Sequence, residues 1–331
     1  MSVKGKFFIV GGAGFIGSHF CDALLGFPEV SAVTVYDNFS SGREWHFADH
    51  TADPRFSVRR GDVKERKTLA EAMTGHDVVI HLASNPDIAK AMTEPDIDFR
   101  EGTALTNHVL EAMRLSGVKR ILYASGSGVY GDAANVEFRE DHHPLAPIST
   151  YGASKLAGEA LICAYAHMFE MSGLCFRFGN VVGPRQTHGV GFDFIKRLRS
   201  DPRRLRILGD GSQTKSYIAV TDVVSAVLCA HERVGDKRFA VFNVATSDYI
   251  TVLEIAKLVS EAVLGPDASQ VEFQFTGGSR GWKGDVPIIR LNCEAIRATG
   301  WAGAKPTREA LLWSVREMLK EEVQGLLSGC P

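Results

Sequence analysis

Phe7-Phe8-Ile9-Val10-Gly11-Gly12-Ala13-Gly14-Phe15-Ile16-Gly17-Ser18-His19 is a short apolar run that breaks into glycines and resumes with helical spacing. It reads as strand, tight turn and helix. Gly11, Gly12 and Gly14 let the backbone turn sharply and approach a ligand, and Gly17 lets the new helix pack closely on the strand. The free N–H groups at the start of that helix then face a phosphate. The glycines fit GxGxxG at 12, 14 and 17 and GxxGxxG at 11, 14 and 17, and either spacing alone is a weak signal. Context strengthens it, because a second apolar run, Ala32-Val33-Thr34-Val35-Tyr36, ends in Asp37, twenty residues after Gly17. A carboxylate there accepts hydrogen bonds from both adenosine ribose hydroxyls and repels a 2′-phosphate. The reading is a dinucleotide site for NAD rather than NADP.

Working outward, Val/Ile-rich runs at 6–11, 32–37, 56–60, 77–83, 119–126 and 173–178 alternate with helical patterns near 15–26, 65–74, 100–116 and 152–171. Such alternation builds an α/β fold, a Rossmann-type doubly wound parallel sheet with helices on both faces. Its ligands sit beyond the carboxyl ends of the strands. After residue 180 glycine and proline become frequent, at Gly183-Pro184, Gly189, Gly191, Pro202, Gly209 and Gly211. This predicts a domain over 1–180, a segment near 217–245 that returns to it, and a smaller mixed α/β substrate lobe over 181–331. Within that lobe 219–233, 252–264 (opened by the cap-like Thr251) and 308–326 read as helices.

With 331 residues the chain can bury a large core, and a net charge of −2 gives no reason to expect nucleic acid as partner. Lys196–Arg206 holds six basic residues and one Asp, and reads either as a solvated helix face or as a wall attracting a diphosphate. No apolar run reaches membrane-spanning length and the first strand follows Met1 at once, so no membrane association and a cytoplasmic location are expected. Cys21, Cys163, Cys175, Cys229, Cys293 and Cys330 form no CxxC pair and read as reduced, mostly buried thiols. His81 reads as a buried packing residue, Asp141-His142-His143 as a polar loop, and Phe192, Phe194 and Trp282 as core of the second lobe, with a cover over the nucleotide base as the alternative for one of them. No metal is assigned.

Tyr151-Gly152-Ala153-Ser154-Lys155 puts a phenol and an ammonium four residues apart at a helix start, on one face about one turn apart. A free tyrosine is almost wholly protonated at pH 7, and closing the gap of about three pKa units takes roughly 4 kcal/mol. The Lys155 cation, the helix N-terminus and a positive nicotinamide ring all have the sign to supply it. Tyr151 then becomes a general base for a sugar hydroxyl.

At this point the chain resembles the extended short-chain dehydrogenase/reductases, and within them the nucleotide-sugar epimerases and dehydratases of the UDP-glucose 4-epimerase type. The resemblance rests on Gly11–Gly17, Asp37-Asn38-Phe39-Ser40-Ser41-Gly42, Gly61-Asp62-Val63, His81-Leu82-Ala83-Ser84, Gly128-Val129-Tyr130-Gly131, the Pro147–Lys155 phrase, Arg177–Gln186 and Gly209–Gln213. It implies that Gly11, Gly14, Phe15, Ile16 and Gly17 hold the NAD pyrophosphate and Asp37 and Asn38 the adenosine ribose, with Ser40 and Gly42 beside it. Asp62 and Val63 would meet the adenine. Leu82, Ala83 and Ser84 would line the path to the nicotinamide ribose, with Ser125 a cofactor-side neighbour and Phe178 flanking the nicotinamide. Tyr151 would be the base, with Lys155 bonding the ribose and tuning it. Asn180, Arg185, Arg206, Lys215, Tyr217, Arg280 and Asp285 would contact the nucleotide sugar, expected to be a UDP-sugar. The resemblance further implies a homodimer joined through a four-helix interface that includes the 152–171 helix.

Three departures stand out. The Ser or Thr usual in the family twenty-five residues before the tyrosine is Gly126 here, so Ser127 or Ser125 would have to replace its hydroxyl. A diphosphate-binding arginine is replaced by Lys215, which keeps the charge and loses the two-pronged geometry. Where many relatives read Arg-x-Gly-Asp, this chain has Arg280-Gly281-Trp282-Lys283-Gly284-Asp285. Three functions follow in order of preference: a 4-epimerase working through a transient 4-keto sugar, a dehydratase sharing the first oxidation, and a non-catalytic NAD-binding sensor. Related dehydratases usually carry an Asp-Glu pair where Ser127-Gly128 stands, and elimination of water needs those extra proton-transfer groups.

Overall fold

The computed structural model describes residues 2–327 except 134, 135, 236 and 283, so Cys330 and Lys283 lie outside the described residues. Seven strands form one sheet: β1 (Gly5–Val10), β2 (Val30–Asp37), β3 (Phe56–Arg60), β4 (Val78–His81), β5 (Arg120–Gly126), β6 (Ser172–Phe178) and β7 (Phe239–Val244). All are parallel, in the spatial order β3-β2-β1-β4-β5-β6-β7. This is a Rossmann-like sheet. The chain winds outward from β1 to β3, then crosses back to lay β4 against the other side of β1. A crevice opens at that reversal, beyond the carboxyl ends of β1 and β4.

The pleat of β1 explains why its apolar run has no polar alternation. Phe7 and Ile9 enter one core with Phe20 and Leu24 of α1 (Phe15–Leu25). Phe8 and Val10 enter another, with Leu69 of α2 (Arg66–Met73) and Val109 of α3 (Ala104–Ser116). Period-two geometry sends alternate side chains to opposite faces, and helices cover both. α4 (Thr150–Met168) lies on the second face and α6 (Val220–Arg233) on the first. A third core joins α5 (Val190–Ser200), α7 (Val252–Leu264) and α8 (Thr307–Val323), and Phe192 and Phe194 are buried in it.

β7, left out of the strands read from sequence, comes from the returning segment and pairs with β6 from Phe239↔Gly173 to Val244↔Phe178. α7 opens on Thr251 with a full capping box to Glu254. α3 is preceded by a π-helical turn, Phe99–Thr103, where an α-helix from residue 100 was expected. The basic stretch is a paired surface: Arg199 meets Glu322 at 2.8 Å, and Arg197 donates to the Arg206 carbonyl at 2.6 Å. Cys21, Cys175, Cys229 and Cys293 are buried free thiols, and Cys163 is half-buried. No helix among the described residues is long and apolar enough to cross a membrane.

Candidate functional site

The carboxyl ends of β1, β2, β4, β5 and β6 open on one cavity of ≈ 560 Å³. At its floor Gly11 has φ +80°, and a Cβ there would stand 2.7 Å from the Ala83 nitrogen. A Cβ on Gly17 would stand 2.6 Å from Gly12 Cα, so only glycine lets α1 sit this close to the turn. α1 starts at Gly14 with no side-chain cap and no acid in its first turn, and Gly14, Phe15, Ile16 and Gly17 line the cavity. Unclaimed N–H donors and close backbone approach are what a pyrophosphate needs, so the cradle fits NAD.

At the end of β2, Asp37 is buried and accepts from the Ala13 nitrogen at 3.0 Å and the Phe39 nitrogen at 2.8 Å. Burial pushes its carboxyl up despite those bonds. Each oxygen keeps a lone pair for a ribose hydroxyl. Asn38 donates to Asp62 at 3.3 Å, and Asn38, Ser40, Asp62 and Val63 line the same end. Leu82, Ala83 and Ser84 continue the wall from β4. Behind it His81 is fully buried, bonded through Nε2 to Thr106 Oγ1 at 3.1 Å, and burial holds its pKa down at about 3.

The other end is built by α4. Its N-cap, Ser149, accepts from the Gly152 nitrogen at 3.1 Å, and the helix carries Tyr151, Lys155 and Glu159 on one face. Lys155 donates to the Ala124 carbonyl at 2.8 Å, with Nζ 5.4 Å from the centre of the Tyr151 ring. Burial lowers its pKa to about 8, partly offset by Asp98. Tyr151 moves the opposite way to the sequence expectation: burial raises it to about 12, the Ser84 hydroxyl pulls it down, and Asp98 adds to the rise. In the protein alone, desolvation outweighs the help foreseen from Lys155.

Gly126 has extended backbone, φ −154° and ψ 160°, and a Cβ there would lie 4.0 Å from Tyr151 Cε1. The missing side chain would therefore have stood against the tyrosine ring. Ser125 is committed elsewhere, donating to Glu159 at 2.5 Å, while Glu159 takes two bonds from Arg177 at 3.0 and 2.7 Å. Ser127 lines the cavity, and its side chain makes no hydrogen bond among the described residues.

Phe178, Asn180, Lys215, Tyr217 and Asp285 also line the cavity. Lys215 is tied to Asp285 at 2.7 Å and to the Val286 carbonyl. Four expected residues are not on the wall. Arg185 turns to Asp22 on α1 at 2.8 Å, while its backbone N–H is taken by Glu321. Arg206 is exposed on the strand Arg204–Ile207. Arg280 stands behind the wall on Asp132 and the Asp285 carbonyl. Gly42 backs onto Ala13, where a Cβ would come within 2.7 Å. Trp282, assigned to the core from sequence, lines the cavity with Gln186 and His188. Asp98 was missed altogether. It is 1% exposed, held by Thr150 at 2.7 Å and Asn85 at 2.8 Å, and no motif in its loop announces it.

Residues 7–245 match the NAD dependent epimerase/dehydratase family. A UDP-glucose 4-epimerase of Mycolicibacterium smegmatis is 31% identical over 302 residues, 88% of this chain and 92% of that protein. A dTDP-glucose 4,6-dehydratase of an Actinoplanes species is also 31% identical, over 277 residues, 81% of this chain and 84% of that protein. A crystal structure of a UDP-galactose 4-epimerase is 37% identical with a TM-score of 0.83, covering 96% of this chain and 99% of that one.

Proposed function

The chain belongs to the NAD dependent epimerase/dehydratase family, and on that premise we propose that it is a nucleotide-sugar 4-epimerase, acting on a UDP-sugar through a transient 4-keto sugar. The observation that carries this reading is the make-up of the cavity around Tyr151. A phenol and a buried ammonium stand side by side, and Ser127 and Gly128 offer no carboxylate to help expel water from C5–C6. NAD, when bound, supplies the hydride acceptor and donor. Tyr151 holds and returns the proton at the sugar O4, and Lys155 orients the ribose and favours the phenolate. The turn from Gly11 to Gly17 takes the pyrophosphate, and Asn180 and Tyr217 line the way to the substrate diphosphate. The dehydratase relative at the same identity keeps elimination as the second reading. Incubation with UDP-, dTDP-, GDP- and CDP-sugars, read by NMR, decides: a C4-inverted sugar supports the proposal, and a 4-keto-6-deoxy product overturns it.

Asp37 leads us to propose a preference for NAD over NADP, since a 2′-phosphate would face a buried carboxylate. Titration of both cofactors checks this, and equal or tighter NADP binding would refute it. We also propose a homodimer through α3 and α4. Leu115 is 61% and Met168 71% exposed on these helices, more apolar surface than a solvated face needs. Light scattering at micromolar concentration should find two copies, and monomer alone would count against it.

A further inference from the structure

Thr150, the residue before Tyr151, is held by a carboxylate that no motif announces. Asp98 is 1% exposed and stands immediately before the π-helical turn Phe99–Thr103. A carboxylate buried so deeply costs stability unless its oxygens are bonded. One oxygen accepts from Asn85 Nδ2 at 2.8 Å, and the other from the Thr150 hydroxyl at 2.7 Å. The two donors belong to different elements of the site. Asn85 lines the cavity in the connection after β4, next to Leu82, Ala83 and Ser84, and Thr150 opens α4 directly before Tyr151. Asn85 is itself locked, its amide donating to the Asp87 carbonyl at 2.9 Å and accepting from the Asp87 nitrogen at 3.0 Å. The π-helical turn is fixed as well: Thr103 donates to Ser154 at 3.1 Å, a Cβ on Gly102 would collide with Ser154, and Glu101 pairs with Lys64 at 2.6 Å.

We propose that Asp98 is a positioning residue: its carboxylate joins the first turn of α4 to the connection after β4 and so fixes where the Tyr151 oxygen stands in the cavity. The geometry calls for an aspartate. A carboxylate accepts on both oxygens, whereas an asparagine accepts on one, and its NH2 would face the NH2 of Asn85. Turning the Asn85 amide round would relieve that clash and forfeit both bonds to Asp87. An anion beside a helix N-terminus is also well placed against the helix dipole. Placement matters, because a reacting group moved by about 1 Å loses on the order of a hundredfold in rate. The same anion has an opposite electrostatic effect. With Lys155 on α4 and Tyr123 on β5 it is one of the charged and titratable groups bearing on the phenol, and it favours a protonated Tyr151 and a charged Lys155. Removing its charge alone makes the phenol easier to ionise, while removing its bond to Thr150 misplaces it.

The proposal deepens the epimerase reading and rests on Tyr151 being the base, so its test includes a readout that needs no turnover. Thr150 is exposed, and Thr150→Val removes the hydroxyl while disturbing no core. It should lower kcat on the accepted nucleotide sugar by about tenfold or more with KM and NAD affinity unchanged, and Thr150→Ser, which keeps the hydroxyl, should restore it. Asp98→Asn should lower kcat likewise. Tyrosinate absorbance of the NAD-loaded protein is then titrated against pH, with Tyr151→Phe subtracted. The Tyr151 midpoint should fall by about half a unit or more in Asp98→Asn, because the opposing anion is gone. A base that ionises more easily and yet turns over more slowly is the signature of lost placement. A carboxylate acting through its charge alone would give a faster protein at neutral pH on removal, and that outcome overturns the proposal. So does a Thr150→Val protein within about twofold of wild type, or a Thr150→Ser protein as slow as Thr150→Val. If no nucleotide sugar is turned over, the epimerase reading fails and the midpoint decides. Loosening the start of α4 in Thr150→Val admits water to the phenol and should lower its midpoint, with Thr150→Ser back at the wild-type value. A midpoint that Thr150→Val leaves unchanged overturns the role of Asp98.

Discussion

Tyr151→Phe is expected to lower kcat on the accepted nucleotide sugar by about 10²- to 10⁴-fold while leaving NAD affinity and KM nearly unchanged. The substitution removes one oxygen and keeps the ring, so the packing of Tyr151 between Gly126 and Lys155 survives. What disappears is the group proposed to take the O4 proton, an interaction that would be made in the transition state alone. Two other groups near the cavity could take a proton. Lys155 has its pKa lowered to about 8, and burial also pulls His188 down. At pH 7 about one Lys155 in ten is neutral, but its Nζ is already committed to the Ala124 carbonyl at 2.8 Å. A variant that keeps more than a tenth of wild-type turnover would move the base to one of these.

The sheet was legible because its signals are local. An apolar run closed by glycines needs no tertiary information to be read as strand, turn and helix, and the carboxylate that ends β2 is placed by the same run that makes the strand. β7 was missed because Phe239–Val244 is a sixth-position neighbour whose partner, β6, lies some sixty residues earlier, and nothing in six residues states which strand they will join. The same limit explains the site. Tyr151 and Lys155 are four apart on one helix, so their pairing follows from helix geometry. Asp98 bears on Tyr151 and Trp282 lines the cavity from two separate connections, and only the folded chain brings them to the site. Electrostatics was the least legible of all. Sequence shows that Lys155 has the right sign to assist Tyr151, but the size of the opposing desolvation depends on burial that no spacing reveals. Arg185 shows the converse. Its place in a matched phrase implied contact with the nucleotide sugar, and the fold gave it to Asp22, which His50 also meets at 2.6 Å.

Arg177→Met is expected to destabilise the protein by about 3–5 kcal/mol, because it strands the Glu159 carboxylate without its countercharge. The pair is 3% and 5% exposed, joined through bonds of 3.0 and 2.7 Å. It ties three elements together. Arg177 lies on β6, Glu159 on α4, and Ser125 at the end of β5 donates to the same carboxylate. The guanidinium also lies 4.7 Å from the centre of the Tyr130 ring, and Tyr130 in turn donates to Asn243 on β7 at 2.8 Å. Glu159 shares a face of α4 with Tyr151 and Lys155, so this anchor fixes α4 against the strand ends that carry Gly126 and Phe178. Urea denaturation followed by circular dichroism measures the cost, and adding Glu159→Leu to Arg177→Met should recover much of it, since an apolar pair leaves no buried charge. The two effects predicted for turnover then separate. If the pair serves only to hold the fold, the double variant should regain activity along with stability. If the carboxylate also sets where α4 begins relative to β5, stability should return while kcat stays low, because Ser125 would have lost its acceptor and the Tyr151 ring its fixed place beside Gly126. A cost below about 1 kcal/mol for Arg177→Met, the value of an exposed pair, would mean that packing alone holds α4 in place.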